Sequence, residues 1–372
     1  MELLKTYKSN TCGNTWKIDD KSILLLCKIF IATISIAHLL RAGMGVYFHE
    51  IDSYVLPAIS MQYRHSLIIT QEDIEQAKID FEDYYYEIDD YDDLRSSKLS
   101  RINEDEWVAF YFPVYTMFCM PAKLILQLLN CNQARAFTIT NAICIITALI
   151  IVYRYFNVKP VDKLLTLILL AISPIHMYIE YISAEAFMFS LITISLVLYS
   201  NGKYKSAALS VSIAGMCNPT VMGIGIVMVL EYLVKMFLNR KNVKIFSAKN
   251  ILSTIEYACF YMPRLIPFIF NYLLIKKGNP TIDGATLTDY GKRFISYLFS
   301  NDIGFFSFAP FTLLIFLALI PVIVIRKKYK LLPYAGFVFA PMAAYSLMIY
   351  IDVYLHSVQD ILCGHIRRLF LL

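Results

Sequence analysis

Long apolar stretches separated by short polar segments run through most of the chain. Several of these stretches approach the roughly 20 residues that an α-helix needs to cross about 30 Å of hydrocarbon. The pattern therefore predicts an all-α polytopic membrane protein, with a short N-terminal segment, 1–21, followed by a single transmembrane domain, 22–372. Nine membrane-spanning helices are expected, at about 22–40, 134–153, 164–180, 185–200, 206–217, 220–237, 253–275, 307–325 and 332–350.

The exception to this pattern is a large hydrophilic loop, 41–133, after the first span. Its last part, Trp107 to Leu129, is apolar but is interrupted by Pro113 and Pro121. Counting that stretch as a span would reverse the side of the membrane on which every later basic segment lies. We therefore expect an interfacial or re-entrant helix there, in a loop that carries short interfacial helices.

Composition and charge support this arrangement and orient it. Hydrophobic residues make up 58% of the chain and charged residues only 17%, whereas soluble domains carry more charge. The segment Glu72 to Glu106 has a net charge of −10, and the remaining chain has +15. Because cytoplasmic loops retain Lys and Arg, we expect a cytoplasmic N-terminus and an extracytoplasmic loop 41–133. The basic clusters placed in the cytoplasm are Arg154/Lys159/Lys163, Lys203/Lys205, Lys235/Arg240/Lys241/Lys244 and Arg326/Lys327/Lys328/Lys330.

The first apolar stretch has a second interpretation, as a cleaved signal peptide. Its apolar core is long for a signal peptide, and Ala37-His38-Leu39-Leu40-Arg41 has no small-x-small cleavage site. A membrane-spanning helix is therefore the favoured interpretation.

Two carboxylates, Glu50 and Asp52, follow the first span within a few residues of the outer membrane surface. Desolvation or a nearby cation shifts the pKa of such a group, so either residue is suited to act as a general base on a substrate delivered from the bilayer. The alternative is an interfacial turn whose acids simply face water. Arg64, further along the loop, is either a ligand for a phosphate or a side chain that reaches the lipid headgroups.

His176 and Glu180 lie one helical turn apart near the outer end of the third predicted span. Ionisable residues in membrane segments are candidates for a functional role. The alternative is that His176 is a hydrogen-bonding residue near a helix end.

Three short segments carry a resemblance to a known superfamily. They are Glu50-Ile51-Asp52-Ser53-Tyr54 after span one, Tyr111-Phe112-Pro113-Val114-Tyr115 before span two, and Ser173-Pro174 with Glu180 and Glu185 after span three. With the loop layout, they resemble the GT-C superfamily, whose members include protein O-mannosyltransferases and aminoarabinose lipid A transferases. The segments Leu298–Gly304 and Ala309-Pro310, and the pair Gly364 and Arg367, are similar to further elements of such proteins.

The resemblance implies an inverting glycosyltransferase that moves a sugar from a polyprenyl-phosphate donor to a cell-surface glycan, lipid or protein. Glu50 or Asp52 would be the catalytic base, and Glu180 or Glu185 would occupy a second acidic position. The leaving phosphate would be neutralised by a divalent cation or by an arginine. The candidate arginines are Arg64, Arg367 and Arg368.

Two departures from the family pattern accompany this resemblance. The usual Asp-Glu or Asp-x-Asp is Glu-x-Asp here, and the chain ends at Leu372, where relatives continue with further spans. A shortened member of the family is therefore expected, in the bacterial plasma membrane. Its expected partners are the lipid bilayer and a lipid-linked sugar. Since topology accounts for the basic residues, no nucleic-acid partner is predicted.

Two other functions remain open. A transporter or flippase for lipid-linked saccharides would have broken helices, ionisable groups near the bilayer midplane and usually an internal repeat. No convincing repeat is present, and the acids cluster at the outer surface, which favours the enzyme. The other alternative is a non-catalytic membrane subunit for polysaccharide assembly.

Overall fold

The computed structural model describes residues 19–44, 46, 51–81, 99–103, 105–109, 112–218, 221–238, 248–275, 295 and 321. This part of the chain is mostly helical, as the hydrophobic pattern predicts. Within it, two helices are long and apolar enough to cross a membrane, α1 (Asp20–Met44) and α5 (Arg135–Tyr155). The last two predicted spans lie outside the described residues, apart from the single position 321.

Helix α1 has one face in the protein and its remaining surface turned outward. Cys27 and Ala42 are fully buried, and the helix contacts α5 and α6 (Pro160–Ala171). Ile36 and Leu40 are 60% and 64% exposed. Exposed apolar side chains along a long helix are typical of a surface that faces lipid. The contacts of α1 with α5 and α6 make it part of the described fold.

Four helices extend this bundle in the described part of the chain. Helix α7 packs against both α5 and α8, and α8 also contacts α9 and α10. Ala207, Ala208 and Ala214 of α8 are buried, and small residues of this kind let helices approach closely in membrane proteins. The bounds are Glu185–Ser200 for α7, Tyr204–Cys217 for α8, Met222–Leu238 for α9 and Ala248–Tyr261 for α10.

Two predicted spans are interrupted. The span predicted at 164–180 is wrong as a single helix, because α6 ends at Ala171 and a 3-10 helix follows at Pro174–Ile179. The span predicted at 253–275 also breaks, at the 3-10 helix Met262–Leu265, before α11 (Ile266–Ile275). Each 3-10 helix has proline at its start. Proline lacks a backbone donor and disfavours α-helical geometry in the residue before it.

The prediction of an all-α chain missed a small antiparallel sheet in the first loop. Its strands are β1 (Ile68–Thr70), β2 (Leu99–Asn103) and β3 (Glu106–Ala109), in the order β1-β3-β2. Val108 lies opposite Ile68 on one side and Ser100 on the other. The apolar stretch from Trp107 therefore starts as a strand, and its helix begins only after Pro113.

The described part of this region also contains the helices α2 (Ile51–Tyr63), α3 (Gln71–Asp80) and α4 (Val114–Leu128). Together with the sheet they form what we call the loop subdomain. It packs on the bundle through Tyr115, whose buried ring lies 5.7 Å from that of Phe187 in α7 and 6.0 Å from that of Phe137 in α5. Because both partners lie in first turns, the loop subdomain sits at the end of the bundle where α5 and α7 begin.

Candidate functional site

The structure brings together two segments that are distant in sequence at this same end of the bundle. His38 and Arg41 lie in the last two turns of α1, and His176 and Glu180 belong to the 3-10 helix and its C-cap. These four residues are called the polar cluster below. Their position is fixed by α5, because the Thr138 hydroxyl donates to the Ala42 carbonyl at 2.8 Å.

The cluster contains an ion pair and a stacked pair of imidazoles. Nε of Arg41 donates to Oε1 of Glu180. The side chains of Arg41 and Glu180 are 40% and 17% exposed, so the pair lies at the edge of the fold. The rings of His38 and His176 stack with centroids 4.5 Å apart and an interplanar angle of 20°.

One hydrogen bond of the His176 ring indicates which nitrogen of the neutral imidazole carries the hydrogen. Its Nε2 lies 2.8 Å from the Leu170 carbonyl, which can only accept, so Nε2 carries the hydrogen and Nδ1 has the lone pair. Burial lowers the pKa of His176; the hydrogen bond to the Leu170 carbonyl opposes this shift, and the positive charge of Arg41 adds to it. Nδ1 of His176 and Nε2 of His38 are both buried, with no hydrogen-bond partner among the described residues. The cluster therefore offers polar ring atoms that its own residues leave unused.

Asn141 of α5 holds the segment that carries Glu180. Its fully buried amide donates to the carbonyls of Tyr178 and Tyr181, at 3.0 Å each. Its Oδ1 accepts a 3.0 Å hydrogen bond from the Tyr115 hydroxyl. One side chain thus joins α5, the connection between α6 and α7, and the loop subdomain.

The two residues predicted for the second acidic position have different surroundings. Glu180 is engaged by Arg41. Glu185 is the first residue of α7, and its Oε2 is buried with no hydrogen-bond partner among the described residues. A carboxylate is favoured at the start of a helix by the helix dipole. Of the two acids, Glu185 is therefore the one with a carboxylate oxygen that no described residue engages.

The predicted catalytic acids enter the fold just after α1. Helix α1 ends at Met44 and α2 begins at Ile51, which makes Asp52 the second residue of α2. The side chain of Asp52 and the whole of Glu50 lie outside the part that the structure describes. Their catalytic roles stay predictions, as do the phosphate-binding roles of Arg367 and Arg368, which are outside the described ranges as well.

Arg64 has a structural role in the loop subdomain. Its Nε donates to both carboxylate oxygens of Asp73 at 3.0 Å, and its Nη2 donates to the Ser60 hydroxyl and the Ile68 carbonyl. The Asp73 side chain is only 1% exposed and also caps the start of α3. A buried carboxylate needs such a partner, so the charge of Arg64 is already matched within the protein. Its predicted role as a phosphate ligand has no geometric support here.

Sequence reasoning missed Lys123, a fully buried lysine in α4. Its ammonium donates to Oε1 of Gln62 and lies 3.7 Å from Oδ2 of Asp80. Burial lowers the pKa of Lys123 to about 8, although Asp80 opposes this shift. The signal was a lone lysine in the apolar stretch from Trp107 to Leu129. His38 and Arg41 were missed as well, and their signal was spacing of one turn at the end of an apolar span.

Comparison with protein-family models, with curated proteins and with solved structures finds no match to this chain. In the described part of the chain, no group of three or more His, Cys, Asp and Glu side chains is arranged to hold a metal ion. Within the described residues, the chain is mostly helical, two helices are suited to cross a membrane, and a polar cluster lies at one end of the bundle; the structure defines the class no further.

Proposed function

We propose that this protein is a membrane glycosyltransferase that moves a sugar from a polyprenyl-phosphate donor to an acceptor at the extracytoplasmic face. The observation that carries the proposal is the grouping of ionisable residues at one end of the bundle. The end of α1, which leads to Glu50 and Asp52, contacts the segment that carries Glu180 through Arg41. Glu185 begins α7 at the same end.

This grouping suits transfer from a phosphate leaving group. The acceptor hydroxyl attacks the anomeric carbon and gives its proton to a carboxylate, while the bond to the donor phosphate breaks and the phosphate takes the electron pair. Glu50 or Asp52 is the proposed base. Glu185 has an unused carboxylate oxygen for the acceptor or a cation. Arg41, the cation of the polar cluster, has a side chain that is 40% exposed, and we propose that it meets the phosphate charge.

A carrier of lipid-linked saccharides is the second candidate, and the interrupted helices favour it. Transporters bind substrate at broken helices within the membrane, and this chain breaks at Pro174–Ile179 and at Met262–Leu265. A carrier would move the intact lipid-linked saccharide and release no polyprenyl phosphate, which separates the two functions. A non-catalytic assembly subunit would do neither.

The test is transfer of radiolabelled sugar from a panel of polyprenyl-phosphate sugars in membranes that carry the wild type or one variant. The variants are Glu50→Gln, Asp52→Asn, Glu180→Gln and Glu185→Gln. Asp162→Asn, an exposed carboxylate in the first turn of α6, is the matched control. Loss of transfer in a site variant at unchanged abundance, with full transfer in the control, supports the enzyme. Absence of transfer by the wild type from every donor would refute it.

A further inference from the structure

A second candidate site lies between α9, α10 and the 3-10 helix Met262–Leu265. It is a cavity of about 310 Å³ that shares no lining residue with the polar cluster. This volume is at the small end of the range for ligand-binding pockets. At about 30 Å³ per water-sized group, it holds roughly ten non-hydrogen atoms. The residues that line it are Ile226, Val229, Leu230, Tyr232, Leu233, Thr254, Tyr257, Ala258, Tyr261, Met262, Arg264 and Leu265.

Arg264 is the single charged residue among these lining residues, and its backbone is held firmly. Its N–H donates to the Ser212 hydroxyl at 3.0 Å, and that hydroxyl donates to the Tyr261 carbonyl at 3.1 Å. Ser212 is fully buried in α8. The helix break at Pro263 therefore places Arg264 at the cavity in a fixed position.

The guanidinium group of Arg264 lacks an anionic partner among the described residues. Its Cζ lies 3.5 Å from the centre of the Tyr261 ring, which is a cation–π contact. Its Nε and Nη1 are buried, and no described residue accepts a hydrogen bond from them. The Tyr257 hydroxyl at the same cavity is also buried without a described partner. Buried donors left unsatisfied are costly, and each calls for an explanation.

Most of the remaining wall of the cavity is apolar, and several of its apolar residues are exposed at the surface of the protein. Leu230 and Met262 line the cavity and are 55% and 56% exposed, and Leu265 is 37% exposed. Transfer of a small hydrophilic anion from water into a cavity with such walls has a large desolvation cost. An anion attached to an aliphatic chain fits this cavity better, because its charge can pair with Arg264 while its carbons pack against the leucines.

We propose that this cavity binds the anionic headgroup of a single-chain amphiphile, a phosphate or carboxylate, through Nε and Nη1 of Arg264 and the Tyr257 hydroxyl. The first carbons of the chain lie along Ile226 and Leu230, and the rest of the chain leaves through the apolar opening. The proposal does not rest on glycosyl transfer. A failure of either proposal therefore leaves the other standing.

Binding is tested on the purified full-length protein in an uncharged maltoside detergent, by native mass spectrometry. The probes are decyl phosphate, decanoate, decanol as a neutral match, and inorganic phosphate alone. We expect the wild type to bind decyl phosphate and decanoate at least tenfold more tightly than decanol or inorganic phosphate. Equal binding of decanol would remove the role of charge. Equal binding of inorganic phosphate would identify a free-anion site and overturn the amphiphile.

Variants locate the binding at this cavity. Arg264→Gln is expected to weaken decyl phosphate binding at least tenfold, and Arg264→Lys to retain part of it. Lys205→Gln removes a cation that pairs with Glu256 outside the cavity, and is expected to bind like the wild type. Tyr257→Phe removes one hydroxyl and is expected to weaken binding about threefold, which keeps the test valid if Arg264→Gln does not fold. Wild-type affinity in a folded Arg264→Gln or in Tyr257→Phe would refute the proposal.

Discussion

Asn141 and Lys123 show how single buried polar residues hold parts of the chain together. Asn141 joins the loop subdomain to the bundle, and Lys123 joins α2, α3 and α4 within the loop subdomain. The amide of Asn141 donates to carbonyls in the connection between α6 and α7, and its oxygen accepts from Tyr115 of α4. Lys123 is buried with Asp80 and Gln62 around its ammonium, and the rings of Tyr63 and Phe81 lie 5.9 Å away. A buried polar group destabilises the fold once its partner is lost. Replacing either residue is therefore expected to change the stability of the folded protein.

Replacing Asn141 with leucine is expected to destabilise the segment that carries Glu180. The change leaves the carbonyls of Tyr178 and Tyr181 without their donor, at roughly 1–3 kcal/mol for each unsatisfied group. The melting temperature of the purified protein in detergent measures the loss. Asn157→Leu is the matched control, because Asn157 is exposed and bonds only Asn201 among the described residues. An equal effect of the two changes would contradict the role given to Asn141.

The pKa of Lys123 predicts a pH-dependent stability. As pH rises above about 8 the folded protein loses its proton at Lys123, whereas the unfolded chain keeps it up to its ordinary pKa of 10.5. The unfolded state therefore binds more protons between these values, and stability rises with pH across that window, by up to roughly 3 kcal/mol. Lys123→Met removes this contribution, so the melting temperature of the wild type should rise relative to that of the variant from pH 8 to pH 10. A constant difference would contradict the shift.

At the scale of elements, the sequence predicted helices better than their interruptions. Helices α1, α5 and α7 begin within two residues of the predicted spans. The breaks at Pro174 and Pro263 were missed because the flanking residues stay apolar, so hydropathy alone continues through a 3-10 helix. The sheet was missed because strands of three to five residues are too short to show clear alternation.

The contact between α9 and α10 depends on the absence of a side chain at Gly225. A Cβ atom there would lie 1.8 Å from the Tyr261 hydroxyl oxygen. Gly225→Ala is therefore expected to push the helices apart or displace the ring beneath Arg264, at about 1–3 kcal/mol. The melting temperature checks this, with Gly43→Ala as the control, since nothing lies within 4 Å of a Cβ atom at Gly43. A gain in helix propensity makes the control neutral or slightly stabilising. A tolerated Gly225→Ala would show that the ring moves freely.

At the scale of the whole molecule, the sequence predicted the end of the bundle at which the polar residues gather, but not their pairing. Glu180 was placed at the outer end of a span by its position after an apolar stretch. Its partner Arg41 is 139 residues away, and periodicity relates only residues that are close in sequence. The loop subdomain covers this end, so the predicted orientation of the loop decides whether the polar cluster faces the outside.

The sidedness of the molecule is testable at Cys131, an exposed free thiol between α4 and α5. The predicted topology places it in the extracytoplasmic loop 41–133, because the basic clusters after α5 are held in the cytoplasm. A membrane-impermeant maleimide is therefore expected to label intact cells that express the protein. Cys131→Ser, at equal abundance, should abolish that signal. Any labelling that remains in this variant comes from the other cysteines and is subtracted. If labelling depends on Cys131 but occurs only after permeabilisation, the orientation of the protein in the membrane is the reverse of the predicted one. The polar cluster would then face the cytoplasm, where the proposed extracytoplasmic transfer cannot occur.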